Sequence, residues 1–536
     1  MQKTAVLVLI LGVVGCGLYI GGCSPDKFKE KADKQVYNIL DKKWDPNFGE
    51  KVNYRVSDVK AGPNDIAALV LPVNGIITLA DAVRIATAQN RDYLRQKDQL
   101  YLAALAQTGV MSLYEPRLFG VISTGYNNNN GTESVDASSD FGIQPLQWLG
   151  TGTIISTNIA TDWLKFLGSD APDASLGSVF SASVTQPILR GANPAVYREP
   201  LTQAQRNTLY AIRDFNRFRQ DFVVEIVRDY YKVLQSLDSV DNAKRSYDSL
   251  KISEERVRML ADAGQLPYFE VDQATQETLQ VYDQLVTQQQ VYEEVLDSFK
   301  LRLALPVVAN VVLDPCDLIK IRNTAITEPN YSPSDAITTA LLYRLDLANE
   351  FGFLEDAKRK VIVAEDALKA GLDLTASMVS PSDHGKPGDI QFNEGNYRVG
   401  MNLDLPLERT AERNAYRQTL LSLEEQKRNY TQATDQVTLE VRRSLRQVQE
   451  SAARYEIQLN SRNLAKRRVE NVNMLLLAGR NVTTRDLLDA ERSLLDAEDA
   501  LTSAIVNHTI AKMNFYRDIG ILRVRADGMW YEGVVR

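Results

Sequence analysis

Between residues 416 and 459, apolar side chains fall at Tyr416, Leu420, Leu423, Tyr430, Ala433, Val437, Val441, Leu445, Val448, Ala452, Tyr455 and Leu459. Steps of three and four dominate, a mean of about 3.6 residues, so one face of an α-helix is apolar. The stretch between Pro200 and Pro267 behaves alike, with Leu209, Ile212, Phe215, Phe222, Ile226, Tyr230, Val233 and Leu237 in register. A helix from about 200 to 263 would be roughly 95 Å long at about 1.5 Å per residue. A rod of that length must lay its stripe on a neighbour, here a returning helix and other copies of the chain. The remaining positions carry Arg, Glu, Gln, Asp and Lys and fit a solvated face.

Shorter segments alternate with period two. In 397–405, Tyr397, Val399, Met401, Leu403 and Leu405 are apolar between Arg398, Gly400, Asn402 and Asp404. The same holds in 372–378 (Leu372, Leu374, Ala376, Met378) and in 180–186 (Phe180, Ala182, Val184). In 118–126, Leu118, Ile122 and Tyr126 share a face, blurred by Phe119 and Val121. Such alternation fits a half-buried soluble strand and equally a membrane barrel with lipid outside and water inside. Each pair encloses a polar, turn-rich loop, Asn127-Asn128-Asn129-Asn130-Gly131 or Pro381-Ser382-Asp383-His384-Gly385. Two pairs in one chain cannot close a barrel wide enough for a channel, so several copies must share one.

These elements recur in order, over roughly 75–306 and 331–520. Each half opens on a helix start, Thr78-Leu79-Ala80-Asp81-Ala82-Val83 or Ser332-Pro333-Ser334-Asp335-Ala336-Ile337, with Thr78 and Ser332 or Ser334 as N-caps. Amphipathic helix is expected to about Leu113 and about Lys369. Strands then end near a proline, Pro187 or Pro406, and the long helices stop at Gly264 and Gly479. A second helix returns to about Pro306 and about Gly520. The domain plan is 1–22 signal peptide, 23–75 anchored extension, 76–306 first repeat, 307–331 linker, 332–520 second repeat and 521–536 tail.

The N-terminus reads as an address. Met1-Gln2-Lys3-Thr4 carries a positive charge before the apolar run Ala5–Val14, the shape of a secretory signal. Tyr19-Ile20-Gly21-Gly22-Cys23-Ser24 resembles a bacterial lipobox, which implies cleavage before Cys23 and acylation of its thiol. Cys16 is a poorer second candidate, and a plain transmembrane anchor is the competing view, since about 18 apolar residues can span a bilayer. Ser24-Pro25-Asp26 would break such a helix. No other apolar run is long enough to span.

Composition changes the picture little. A formal net charge of -8 gives no electrostatic case for nucleic acid. The two histidines, His384 and His508, lie far apart, so a His-based metal site or relay has little to work with. Three cysteines, two of them near the N-terminus, make no disulfide framework, and Cys316 reads as a small inert residue in a loop. No Ser/His/Asp arrangement, P-loop or CxxC pair is evident, and the chain is not expected to be an enzyme or to hold a cofactor or metal.

Helix, strand pair, long helix, glycine turn and return helix, all duplicated, resemble the TolC-like outer-membrane efflux proteins. Thr185-Gln186-Pro187-Ile188-Leu189-Arg190-Gly191 and Leu403-Asp404-Leu405-Pro406-Leu407 are similar to that family's strand-to-helix junctions. Ala478-Gly479-Arg480-Asn481-Val482-Thr483-Thr484-Arg485-Asp486-Leu487 resembles its C-terminal tip motif, and the lipobox is similar to that of the OprM-like lipid-anchored branch. The resemblance implies an α+β membrane protein: long antiparallel coiled-coil helices forming an α-barrel, and a β-barrel built from four strands per chain. It implies a homotrimer with a 12-stranded barrel in outer-membrane lipid and passive transport. Tips at Gly264, Gln265, Gly479 and Arg480 would meet a periplasmic adaptor joined to an inner-membrane pump.

By the same resemblance, acidic rings narrow the tunnel near the tips. Spacing back from Gly479 puts the upper position on Glu470 and the second on Asn473, which is not acidic. The stretch 127–177 departs from the family in its length and is open to an additional hairpin that would widen the sheet. Residues 24–75 have no assigned role beyond a tethered extension packing on the helices. The alternative function is a periplasmic coiled-coil tether or adaptor lipoprotein, which leaves the alternating strands without a purpose.

Overall fold

The computed structural model describes residues 24–51, 53–56, 75–129, 132–167, 175–324, 326, 328–383, 385–405, 407–477, 483–525 and 530–532. Cys16, Cys23, His384, Pro406, Gly479 and Arg480 lie outside these residues. The chain divides into two compact units, residues 1–43, 100–212 and 350–430, and residues 44–99, 213–349 and 431–536. Each draws on both sequence halves.

The first unit holds the sheet. β2 (Leu118–Asn129), β3 (Thr132–Gln147), β4 (Ile154–Leu167) and β5 (Ser175–Pro187) come from the first half. β7 (Gly371–Asp383), the short β8 (Lys386–Ile390) and β9 (Asn396–Asp404) come from the second. The order is β2-β3-β4-β5-β7, with β8 and β9 both on the far side of β7, and every pairing is antiparallel. The sheet therefore contains six long strands and a short one, where four strands were expected. The cause is residues 132–167, which the sequence left open as a loop or a hairpin and which fold as β3 and β4. The asparagine tract is a strand end rather than a broad loop, since Asn127, Asn128 and Asn129 pair with Ser134, Glu133 and Thr132.

The described start of the N-terminal extension is a helix. Whether a helix precedes Ser24-Pro25-Asp26 falls outside the described residues. Pro25 begins α1 (Pro25–Lys43), where its missing N–H costs nothing, and Ser24 Oγ accepts from the Asp26 N–H at 3.3 Å. α1 buries Val36 and Leu40. It meets α3 (Arg91–Met111) through the Tyr37 and Tyr101 rings, 5.9 Å apart, and through Tyr101 Oη donating to Asp33 at 2.6 Å.

Helices make up most of the rest, the second unit taking the larger share of their residues. The expected single helices at the head of each half are broken: α2 (Leu79–Gln89) and α3 meet at Asn90, as α8 (Pro333–Tyr343) and α9 (Leu345–Asp366) meet at Arg344. Asn90 leaves the helical backbone at ψ 131°, and its side chain accepts from the Asp92 and Tyr93 N–H groups, recapping the next helix. The long helices are α5 (Glu199–Asp262) and α10 (Thr410–Leu477), and the returning ones α6 (Tyr268–Arg302) and α11 (Thr484–Asp518). α4 (Pro194–Tyr197) precedes α5. The apolar stripe of α5 is the core, with Ile212, Phe215, Phe222, Ile226, Tyr230 and Val233 all buried. On α10 only Val437, Val441, Leu445, Val448 and Ala452 of the predicted stripe are buried, and Tyr416, Leu420, Tyr455 and Leu459 are half-exposed.

The linker is part of the second unit. β6 (Val312–Leu313) pairs in parallel with β1 (Ile76–Ile77), and α7 (Cys316–Asn323) comes next, so Cys316 stands exposed at a helix start rather than in a loop. Asp317 accepts from the Leu79 N–H at 3.1 Å and from Tyr230 Oη at 2.8 Å. After α11, β10 (Leu522–Val524) pairs with β11 (Trp530–Glu532).

Candidate functional site

The sheet has two chemically distinct faces, and the register assigns them. Leu118, Ile122 and Tyr126 of β2 stand opposite Ile143, Ser139 and Val135 of β3. These continue through Thr157, Thr161 and Lys165 of β4, and through Phe180, Ala182 and Val184 of β5. The row ends on Leu372, Leu374, Ala376 and Met378 of β7, opposite Leu403, Met401, Val399 and Tyr397 of β9. Many of these side chains have no protein over them: Leu118 is 83% exposed, Val399 77%, Met401 67% and Tyr397 62%. A soluble sheet buries its apolar face, and exposed patches of this extent mark a surface that meets a protein partner or a membrane. The opposite face carries Ser123, Asp136, Ser138, Asp140, Ser156, Asn158, Asp162, Ser181, Ser183, Thr375, Arg398 and Asn402. Hydroxyl pairs cross the strands there, Ser123 to Ser138 at 2.6 Å and Ser156 to Ser183 at 2.7 Å. Strands of 9 to 16 residues are long enough to cross hydrocarbon when tilted. Among the described residues no helix is long and apolar enough to do so.

The first predicted tip is a helix-ending turn in which Gly264 takes φ +72°. Gln265 N–H donates to Leu260 C=O and Gly264 N–H to Ala261 C=O, both at 2.9 Å, a Schellman closure that needs the left-handed residue. Val257, Ala261, Val271 and Ala274 form a small core under the turn, with Leu266 packed on it. A Cβ on Gly264 would meet no atom within 4 Å, and Gln265 is exposed. The sequence reading missed Tyr268 and Phe269, each 65% exposed beside the turn, Tyr268 Oη donating to Asp262 at 2.9 Å. An aromatic pair just after Pro267 was the available signal. At the second tip, Gly479 and Arg480 fall outside the described residues. α11 begins on a capping box: Thr483 Oγ1 accepts from the Asp486 N–H, and the Asp486 carboxylate from the Thr483 N–H. The Thr483 hydroxyl, donating to the Asp486 carboxylate at 2.7 Å, and after it the Thr483 N–H at 2.9 Å hold that carboxyl below its usual range.

The gate candidates separate. Glu470 is exposed on α10. Asn473 is half-buried and accepts from Arg256 Nη1 of α5 at 2.8 Å. Further along, α5 and α11 are tied by Ser249 to Glu491 at 3.0 Å and by Asn242 to Asp499 at 2.7 Å. Burial pushes both carboxyls above their ordinary values. Arg256 carried no signal in the sequence, being one of many cations on a helix surface.

No family model and no curated protein sequence matches the chain. Among solved structures it is similar to the outer-membrane channel OprN, with TM-score 0.60 at 17% identity over 88% of this chain and 99% of that one. It is also similar to CusC, which forms a transmembrane channel, with TM-score 0.59 at 13% identity over 88% and 98%. The outer-membrane channel CmeC of Campylobacter jejuni gives TM-score 0.59 at 17% identity over 89% and 91%. At these identities the likeness is one of fold: the chain has the α+β fold of the TolC-like outer-membrane channels.

Proposed function

We propose that the chain is the outer-membrane channel subunit of a tripartite efflux or type I secretion system, a passive conduit from periplasm to exterior with no catalytic role. One observation carries the proposal. The sheet exposes large apolar side chains on one face, most of all on β2 and β9, and these outer strands have a partner on one side only among the described residues. In hydrocarbon each unpaired N–H or C=O costs several kcal/mol, so an open sheet cannot persist there and must close. Closure by copies of the same chain sets β9 of one against β2 of the next, and the fold likeness supports three copies. The half-exposed stripe of α10 fits the same assembly, since further helices would cover it.

In this proposal the helical hairpins run on into the periplasm. The turns at Gly264 and Gln265 and at Gly479 and Arg480 meet an adaptor joined to an inner-membrane pump, with Tyr268 and Phe269 adding an aromatic rim to the first. Three copies of Glu470 around one axis would repel one another and attract cations, a weak gate. Asn473, engaged by Arg256, would hold helix to helix instead of narrowing the path. Cys23 would carry the lipid that fastens the N-terminus to the outer membrane. The tether reading leaves the exposed apolar wall with no role.

The test is extraction of the full protein from outer membranes, native mass spectrometry in detergent, and planar-bilayer recording. A detergent-dependent trimer that conducts is expected, and a soluble monomer would sink the proposal in favour of the tether. For the tips, Gly264→Leu should weaken co-purification of the adaptor, and undiminished recovery would remove that assignment.

A further inference from the structure

Building on the channel proposal, we propose that β3 and β4 belong to the closed wall, so that three copies form a barrel of eighteen strands whose added third is acidic toward the lumen. Four observations place the hairpin in the wall. First, it is interposed: β2 pairs with β3 at twelve positions from Leu118↔Ile143 to Asn129↔Thr132, and β4 pairs with β5 from Ile154↔Thr185 to Leu164↔Ser175. Removing it would leave β2 and β5 as the neighbours the shorter plan requires. Second, it keeps the sheet's sidedness. Ala137, Phe141, Ile143, Ile155, Ile159 and Trp163 fall on the apolar face, with Phe141 50% and Ile159 43% exposed. A register shift between Ile143 and Leu146 absorbs one residue without reversing the faces.

Third, its inner turn is built into the helix start. Tyr197 Oη donates to Gly150 C=O at 3.1 Å and Arg198 Nε to Leu149 C=O at 2.9 Å. Gly152 sits at φ +74° with the Tyr197 ring where a Cβ would stand, at 2.8 Å, so no larger residue fits. A loose extracellular flap would have no such clamp. Fourth, the polar face of the hairpin adds Asp136, Asp140 and Asp162 and no basic residue. Asn127 Nδ2 donates to Asp136 at 3.0 Å and Asn158 Nδ2 to Asp140 at 3.1 Å, which fixes both carboxylates on that face.

Width scales with strand number. With strands about 4.8 Å apart and tilted about 40°, twelve strands close at a backbone radius of about 12 Å and eighteen at about 18 Å. Barrels of about 16–18 strands leave an aqueous channel, whereas about 8 strands are filled by their own side chains. The wider, acidic mouth suits bulky, cationic or neutral cargo and disfavours polyanions.

The experiment measures the wall directly. A nitroxide carried on p-acetylphenylalanine in place of Val399, on the lipid face of β9, reports distances between protomers by double electron–electron resonance in full-length protein. Separations of about 40 Å are expected for eighteen strands and about 30 Å for twelve, as the radius scales with strand number. A variant lacking residues 130–167, which joins β2 to β5 with the faces in phase, should shorten the distance by about 10 Å. A wild-type separation near the shorter value overturns the inference while leaving the trimeric channel standing, and so does a distance the deletion leaves unchanged. Loss of any discrete interprotomer distance removes the channel proposal with it. Should the deletion variant fail to fold, the wild-type distance alone decides.

Discussion

The two halves of the chain share a plan in their helices and part company in their sheet. Both open on a hydroxyl cap, Thr78 or Ser332, whose oxygen accepts from the N–H of an aspartate three residues on. Both break the first helix after 11 residues, at Asn90 or Arg344, and both return along a 35-residue helix. Yet the first half contributes four long strands and the second only two with the short β8. A long helix must keep its stripe in phase with its neighbours over tens of residues, so it tolerates few insertions. A hairpin leaves a sheet and returns to the same level, so strands can be added in pairs without redirecting the chain beyond them.

The comparison breaks most decisively on the apolar face. If β3 and β9 both meet lipid, Phe141→Arg and Val399→Arg should each destabilise the folded protein in bilayers by about 2–4 kcal/mol if near the midplane, less toward the interfaces. Equilibrium unfolding in lipid by tryptophan fluorescence would report both. A large loss at Val399 beside a neutral Phe141 would put the inserted hairpin outside the membrane and make the halves equivalent there after all.

Much of this difference was legible in residues, though unevenly. The stripes of α5 and α10, the period-two runs around 180, 374 and 400, and the cap at Thr78 each rest on a local rule that a window of sequence expresses. β3 stayed undecided between loop and hairpin because its polar face, Ser134, Asp136, Ser138 and Asp140, alternates with Val135, Ala137 and Ser139, of which only Val135 is strongly apolar. Its neighbours supply the hydrophobicity that it lacks alone. The breaks at Asn90 and Arg344 escaped for a different reason: neither carries a proline or glycine, and each is held by contacts made elsewhere. Asn90 donates to Arg302 C=O at 2.8 Å, and Arg344 pairs with Glu440 at 2.6 Å. Of the candidate site, Gly264 was legible because left-handed closure favours that residue, while Arg256 and Asn473 meet only through tertiary packing.

Smaller effects sharpen what the halves share. Replacing the cap, Thr78→Ala or Ser332→Ala, should cost about 1 kcal/mol in each half. Thr78 should lose more, because its box is reciprocal and half-buried, whereas Ser332 is exposed. Hydrogen exchange of the first-turn amides, Asp81 against Asp335, reads the two caps separately. Equal protection loss would show that the reciprocal bond contributes nothing beyond the hydroxyl.

The smallest effect belongs to the return helices, where α11 carries a group without a counterpart on α6. His508 is buried against α10, its Nδ1 3.0 Å from Ser451 Oγ, and its Nε2 has no partner among the described residues. Burial first and the Lys512 ammonium second lower its pKa below the ordinary 6.5, against weaker opposing effects of Glu328 and a backbone contact at Val448. Because the folded value lies below the unfolded one, the unfolded chain takes up more protons below pH 6.5. Stability contributed by neutral His508 is thus complete above that pH and lost as pH falls toward the depressed folded value. Glu491 and Asp499, raised by burial, act in the opposite sense further down, since protonation relieves them. Urea midpoints should therefore decline first between neutrality and mild acidity, and His508→Gln should flatten that decline while leaving the more acidic limb in place. An unaltered decline in the variant would move the pH response off α11 and leave the two return helices alike in this respect.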